Sequence, residues 1–390
     1  MSGGLMITET SRRTAEAEVP VVKSQRLVSL DVFRGITIAG MILVNNPGNW
    51  SFVYPALGHA KWNGWTPTDL IFPFFIFIVG VAIAYAFAKR FEMGQSKGKI
   101  YLKILRRTLV LFLLGLILNG FPGYDLSTIR IMGVLQRIAV AYFFASVIFL
   151  NFKVKGQAVF LSGLLILYWL LMMLVPVPGY GAGVLTNTGN LSAYIDRAIL
   201  SVHIWSGSKF WDPEGLLSTL PAIATALTGV LTGEFLKSRK SDYEKVSWMF
   251  VTGLAAMVLG TIFDMWFPIN KNLWSPSYVV FTSGMALVFL AACYFLIDIK
   301  NFKKAGKPFV VFGMNALALF FLSGLVGRII MLLQVGQGSG AVNLKAFIYQ
   351  AAFASWAGDM NGSLFFAIAY IFFWFLILLW MYKRKIFVKI

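Results

Sequence analysis

Ten apolar runs, each long enough to cross a bilayer, divide this chain, and every second connection between them is rich in lysine and arginine. The runs cover residues 27–46, 67–88, 104–119, 131–150, 158–175, 216–236, 246–267, 278–297, 309–333 and 364–382. Crossing about 30 Å of hydrocarbon takes roughly 20 apolar residues wound as a helix. A lipid-embedded backbone has few other ways to satisfy its own polar groups. Hydrophobic residues make up 58% of the chain and charged residues only 13%, against about 25% charged in a soluble domain. The reading is all-α: a polytopic membrane helix bundle of about ten transmembrane helices.

The charge pattern orients the bundle. Basic residues gather at Arg12, Arg13, Lys23 and Arg26, between Lys89 and Arg107, at Lys153 and Lys155, between Lys237 and Lys245, between Lys300 and Lys307, and from Lys383 to Lys389. The intervening connections hold only scattered charges. The positive-inside rule therefore puts both termini in the cytoplasm. Topology and anionic lipid account for the net charge of +18, so membrane lipid is the implied partner and nucleic acid is not. Residues 1–25 are polar and read as a disordered cytoplasmic tail, leaving residues 26–390 as one transmembrane domain. A single cysteine, Cys293, and two histidines exclude an internal disulfide and leave no metal site to expect. No phosphate-cradling glycine loop is present, which argues against nucleotide hydrolysis.

One of the two histidines, His59, falls in a short polar, aromatic loop between the first two runs. An ionisable group at that depth is a functional-site hypothesis; an imidazole that merely reaches water is the alternative. Other polar residues concentrate towards the same, outward ends of the runs: Asn45, Asp69, Arg137, Asp212, Glu214, Asp264 and Arg328. Capping offers a second account of two of them. Asp212 precedes Pro213 as an N-cap would, and Thr66-Pro67 with Asp69 suits a capping box. Capping does not explain Arg137 or Arg328, since a buried guanidinium needs a partner. At the inward ends, Arg26, Arg34, Arg106, Arg107, Lys385 and Lys389 fit either lipid headgroups or a phosphate-binding rim, where guanidinium forks match phosphate oxygens. Two outward connections are long: 176–213, rich in Gly, Asn, Ser and Thr and read as an irregular loop, and 335–362 with an amphipathic stretch at 344–356.

Several strings together resemble one family. They are LDVFRG (30–35), GHAKWNGWTPTDLIFPFFIFIVG (58–80), GVLQRIAVAYF (133–143), YIDRAIL (194–200), DPEGLLSTL (212–220), PINKNLWSPSYV (268–279), GMNAL (313–317) and the terminal KIFVKI. In that order they are similar to the heparan-α-glucosaminide N-acetyltransferase family, the lysosomal membrane enzyme and its bacterial relatives. The likeness extends over nearly all of 26–390 and is to the ten-span catalytic core alone. It implies a multi-pass enzyme, here of a bacterial inner membrane, that moves acetyl from cytosolic acetyl-CoA to a glucosamine amino group on the far side. It implies His59 and Asn45 as catalytic residues. It implies Arg26, Arg107 and Lys389 as ligands of the CoA phosphates, to which Arg34 is added as a neighbour on the same rim. The loop between Asn45 and His59 departs from the lysosomal pattern, being longer and without its glycine run, which bears on the choice of acceptor.

The chemistry is coherent. A glucosamine amine must lose a proton before attacking a thioester, and a histidine with a reference pKa of about 6.5 suits that task. An amide such as Asn45 can donate to the developing oxyanion. Direct attack in a ternary complex and an acetyl-imidazole intermediate both remain open, with direct transfer needing only one base. Asp69, Arg137, Asp212, Glu214 and Asn272 are expected to bind the acceptor sugar. A transporter or flippase of amino sugars or glycolipids, with His59 coupling protons, is the rival reading; an acyltransferase with another donor or acceptor is a second. A homodimer is left open.

Overall fold

The computed structural model describes residues 27–388. Its helices run up and down between two ends. They are α1 (Val28–Asn45), α2 (Ile71–Glu92), α3 (Lys97–Gly120), α4 (Val134–Asn151) and α5 (Val154–Leu174). After the short α6 (Leu191–Leu200) come α7 (Thr219–Leu236), α8 (Asp242–Asp264), α9 (Pro276–Cys293), α10 (Lys303–Met314) and α11 (Ala316–Leu332). The chain finishes with α12 (Leu344–Tyr349), the one-turn α13 (Ser355–Ala357) and α14 (Asp359–Lys383). Among the described residues the only sheet is a two-residue hairpin, Gln334–Val335 with Val342–Asn343.

Among the described residues, eight helices are long and apolar enough to span a membrane, or nine if the bent pair α10–α11 counts as one span. The tenth, α3, has 24 residues, about 36 Å at 1.5 Å per residue. Its first half carries Lys97, Lys99, Lys103, Arg106 and Arg107, which lowers its hydropathy without shortening it. The protein is therefore an all-α polytopic membrane bundle. The helices start where the chain supplies caps: Asn190 accepts from Ala193 N ahead of α6, Ser241 from Glu244 N ahead of α8, and Ser275 precedes Pro276 at the first position of α9.

Lipid gives helices no hydrophobic reason to associate, so close backbone approach through small residues carries the packing. At the crossing of α2 and α7, a Cβ on Gly80 would fall 2.0 Å from the Ala226 carbonyl oxygen, and one on Gly229 2.0 Å from that of Phe77. Only glycine fits at either point.

Three expectations change. The run at 309–333 is not one straight span: α10 and α11 bend by 66° at Asn315. The side chain of Asn315 turns from its helix to the chain's end, donating to Ile386 O at 3.1 Å and accepting from Val388 N at 2.8 Å. Pro213 does not open a helix. Asp212 Oδ1 accepts from Glu214 N at 2.8 Å in a tight turn, and α7 begins only at Thr219. The connection 176–213 is not irregular throughout, since it contains α6. The amphipathic stretch at 344–356 is helical, formed by α12, a π turn at Gln350–Ala354 and α13.

Candidate active site

His59 lies in the loop between α1 and α2, with its side chain 48% exposed. Its Nδ1 is 2.6 Å from Oδ1 of Asp69. A carboxylate only accepts, so Nδ1 carries the proton and Nε2 keeps its lone pair. Asp69 is 1% exposed, and its other oxygen is fully used. Oδ2 accepts from Ala60 N at 3.0 Å, Thr66 N at 3.1 Å and Thr66 Oγ1 at 3.1 Å. The capping box expected at Thr66–Asp69 is present. One carboxylate thus caps the turn with one oxygen and orients the imidazole with the other. Its backbone carbonyl accepts from the Tyr278 hydroxyl on α9.

Lys271, from the turn between α8 and α9, completes the cluster. Its Nζ stands 3.2 Å from His59 Nδ1, 3.3 Å from His59 Nε2 and 3.8 Å from Asp69 Oδ1. Burial pushes this lysine below its ordinary value, against the opposing pull of Asp69 and Glu214. The turn is docked to the His59 loop: Gly64 N donates to Ile269 O at 2.7 Å, and Asn270 Nδ2 to Asn63 Oδ1 at 3.1 Å. Asn272 is half-buried in the same turn. In the sequence Lys271 is one scattered charge of an outward connection, and nothing local marks a partner 212 positions away.

The other acidic and basic candidates at this end are engaged with one another. Arg130 Nε donates to Asp212 Oδ2 at 2.8 Å, and its Nη2 reaches both Asp212 and Glu214. Burial acts to raise Glu214, but Arg130, with Arg137 and Lys271 behind it, outweighs that and holds Glu214 below the usual carboxylate range. Arg137 is fully buried on α4. It donates to Pro213 O at 2.9 Å and Gly215 O at 3.1 Å and to the Ser218 hydroxyl, with its guanidinium 5.0 Å from the Trp274 ring centroid. Its partners are therefore carbonyls and a hydroxyl of the 213–218 turn, which it pins above α7. Asp264 Oδ1 accepts from Ile269 N.

At the opposite, basic end, a cavity of about 560 Å³ opens between α1, α2, α3 and the α10–α11 break. Arg34, Arg90 and Arg107 line it, beside Phe387 and Val388. Arg34 is 3.1 Å from Asp31 Oδ1 and 3.2 Å from Gly313 O. Arg107 lies over the Tyr142 ring at 4.7 Å. Arg90 Nη1 and Arg107 Nε are buried with no acceptor among the described residues. Such orphaned donors in a cavity are a ready site for an anionic oxygen. The structure thus brings Arg34 and Arg107 together and adds Arg90, whose place at the end of α2 reads in the sequence as topology. Arg106 is exposed outside this lining. Arg26 and Lys389 lie outside the described residues.

Asn45, the last residue of α1, is on the wall of a second cavity of about 460 Å³ at the His59 end. No hydrogen bond joins it to His59, and His59 is not among the residues lining this cavity. The two cavities follow one another along the same helices. Leu111 lines the first and Leu118 the second on α3; Leu317 and Phe320 do so on α11. At 1.5 Å per residue these steps are about 10 Å and 5 Å.

A helical bundle of apolar spans, with a carboxylate-oriented histidine at one end and an arginine-lined cavity at the other, defines a multi-pass membrane protein. The family model for the catalytic region of heparan-alpha-glucosaminide N-acetyltransferase matches residues 26–261. The human (Homo sapiens) heparan-alpha-glucosaminide N-acetyltransferase is 34% identical over 352 residues, covering 76% of this chain and 52% of that protein. The mouse (Mus musculus) protein of the same name is 32% identical over 354 residues, covering 76% and 53%. This chain belongs to the heparan-alpha-glucosaminide N-acetyltransferase family, and it spans about half the length of the curated relatives it matches.

Proposed function

We propose that this protein is a transmembrane acyltransferase that takes acetyl from acetyl-CoA at its basic, cytoplasmic end and places it on the amino group of a glucosamine-type sugar at the His59 end. The membrane is a bacterial inner membrane in this reading. The single observation that carries it is the His59–Asp69 pair: a buried carboxylate, anchored by three other hydrogen bonds, fixes Nδ1–H and leaves Nε2 as the base. The relatives' name supplies the reaction class, and the pair supplies a group able to run it.

Acetyl-CoA brings the activated thioester. Arg34, Arg90 and Arg107 hold its phosphates in this reading; the support is that Arg90 Nη1 and Arg107 Nε are buried in the cavity lining with no acceptor among the described residues. The succession of cavities along α3 and α11 supports a route for a long thin arm from the arginines towards Asn45. His59 Nε2 takes the amine proton as the N–C bond forms and the C–S bond breaks, and it returns that proton to the departing sulfur, so that CoA leaves as the thiol and the imidazole is neutral again. The Asn45 amide donates to the carbonyl oxygen as charge gathers on it. Lys271 tethers imidazole and carboxylate, and Asp69 acts through His59 as a positioning residue.

Purified protein in detergent, given labelled acetyl-CoA and a panel of amino sugars with no gradient across any membrane, tests this reading. Acetyl found in amide linkage supports it. Movement of sugar into proteoliposomes, with no acetylation of any amine, overturns it in favour of a transporter.

A further inference from the structure

A second basic cavity stands at the same end as the arginine-lined one. It is a groove of about 390 Å³ between the first turn of α1, the start of α10 and the end of α14. Lys303, Lys304 and Lys307 of α10 line it, across from Val28 and Tyr382. Lys307 is four positions after Lys303 and three after Lys304, so one side of the helix carries all three ammonium groups. All three are exposed and form no ion pair or hydrogen bond among the described residues. α10 itself contains no acidic residue. The lysines of the connection between α7 and α8, by contrast, have carboxylates: Glu234 faces Lys237, Glu244 faces Lys240 and Asp242 faces Lys245. Three like charges on one helix face repel one another, and an anion between them removes that repulsion.

The groove lies at the level where the spans end. Val28 is the first residue of α1, and Tyr382 is one residue from the end of α14. Phe302, immediately before α10, and Trp380, in the last turn of α14, are both exposed, as aromatic residues are at a membrane–water boundary. Val28, Val310 and Tyr382 give the groove apolar surface beside its charge, along which lysine stems can lie while their ammonium groups reach the phosphate level. The lysine face is also held in place, because α10 touches α1 backbone to backbone: a Cβ on Gly35 would fall 1.8 Å from Phe309 O.

The groove is distinct from the arginine-lined cavity. That cavity is walled by α2 and α3, and neither helix reaches the groove. Asp31 forms part of the partition, lining both sides with its Oδ1 3.1 Å from Arg34. Tyr382 forms another part, edge to face against Phe387 of the cavity wall.

We propose that the groove between α1, α10 and α14 is a specific site for an anionic phospholipid of the leaflet at the basic end. Lys303, Lys304 and Lys307 hold its phosphate, and Val28, Val310 and Tyr382 meet the top of its acyl chains. The site does not depend on the acyltransferase reading. A lysine at an anionic lipid surface strengthens attachment about fivefold, so three acting together give on the order of a hundredfold.

Native mass spectrometry of the full chain in phospholipid-free detergent, titrated with phosphatidylglycerol or phosphatidylcholine, tests the site. The wild type is expected to take up phosphatidylglycerol at about tenfold lower concentration or less. Replacing all three groove lysines by Gln should abolish that preference, and replacing them by Arg should keep it. Lys97→Gln, Lys99→Gln and Lys103→Gln together, at the same end on α3, should leave it intact. Thermal unfolding without lipid reports that each variant is folded. Independently of any variant, a photoactivatable phosphatidylglycerol should cross-link the wild type within 28–31, 303–310 or at Tyr382. Equal uptake of the two lipids by the wild type overturns the proposal, as do cross-links confined to other segments. An unchanged preference in the groove Gln variant overturns it too, and so does an equal loss in the α3 variant, which would mean diffuse surface charge. Weaker CoA binding by the groove Gln variant in phospholipid-free detergent also overturns it, by assigning these lysines to the donor.

Discussion

Asp69→Asn is the most instructive single substitution, because the two carboxylate oxygens have separate duties. Oδ2 accepts from the backbone N–H groups of Ala60 and Thr66, and Oδ1 from His59 Nδ1. An amide can satisfy only one side with its oxygen. The two backbone donors cannot change, so the oxygen stays with them and the NH₂ turns to His59. Nδ1 must then accept, and its proton moves to Nε2. The imidazole keeps its position and loses its lone pair where the amine arrives. Forcing the wrong tautomer in a histidine–carboxylate pair costs about 10⁴ in rate in the best-studied case, and loss of a general base about 10²–10⁴. Replacing one charged hydrogen bond costs about 1–3 kcal/mol of stability, so the variant should fold. The assay is acetyl transfer at saturating acetyl-CoA, with thermal unfolding and CoA affinity as controls, since Asp69 is remote from the arginine-lined cavity. A folded Asp69→Asn protein within tenfold of the wild-type rate would refute the tautomer argument.

Other outcomes follow from the same geometry. Arg107→Ala and Arg90→Ala should each weaken CoA binding by about 1–3 kcal/mol, with less loss for dephospho-CoA at whichever arginine meets the 3′-phosphate; calorimetry with both ligands reads this. Arg130→Met leaves Asp212 and Glu214 buried without their cation and should destabilise the fold by about 3–5 kcal/mol, seen as a lower midpoint of thermal unfolding. Burial raises Asp196 on α6 to about 6, from the ordinary aspartate range near 4. The folded state therefore holds this proton more tightly than the unfolded chain, and stability should fall as pH rises from about 4 to 6, by roughly 2–3 kcal/mol. That slope should vanish in Asp196→Asn.

The parts of this molecule written in local pattern were legible, and those made by distant pairing were not. Hydropathy and basic connections define the helices because a span must be apolar along its whole length. The capping box at Thr66–Asp69 was equally readable, being a contact across three residues. Asp69 as the partner of His59 was not, although the two are only ten positions apart. The sequence reading placed Asp69, Arg137, Asp212 and Glu214 together as acceptor ligands. The structure instead divides them between an imidazole and an internal network whose members are about 80 positions apart. The α10–α11 break escaped notice for a related reason. The run is uniformly apolar around Asn315, and its bend comes with hydrogen bonds to residues more than 70 positions later.

The central claim is that His59 is the base, and comparison with the second histidine tests it most directly. His203 Nδ1 is bonded to the Ile129 carbonyl at 2.8 Å, which makes it a latch between two loops. The measurement is the rate of acetyl transfer from acetyl-CoA to an amino sugar of low amine pKa by purified His59→Ala and His203→Ala proteins, each checked for CoA binding. The account predicts a loss of about 10²–10⁴ for His59→Ala and a change of no more than a few-fold for His203→Ala. A His59→Ala protein that transfers acetyl at near wild-type rate would contradict it.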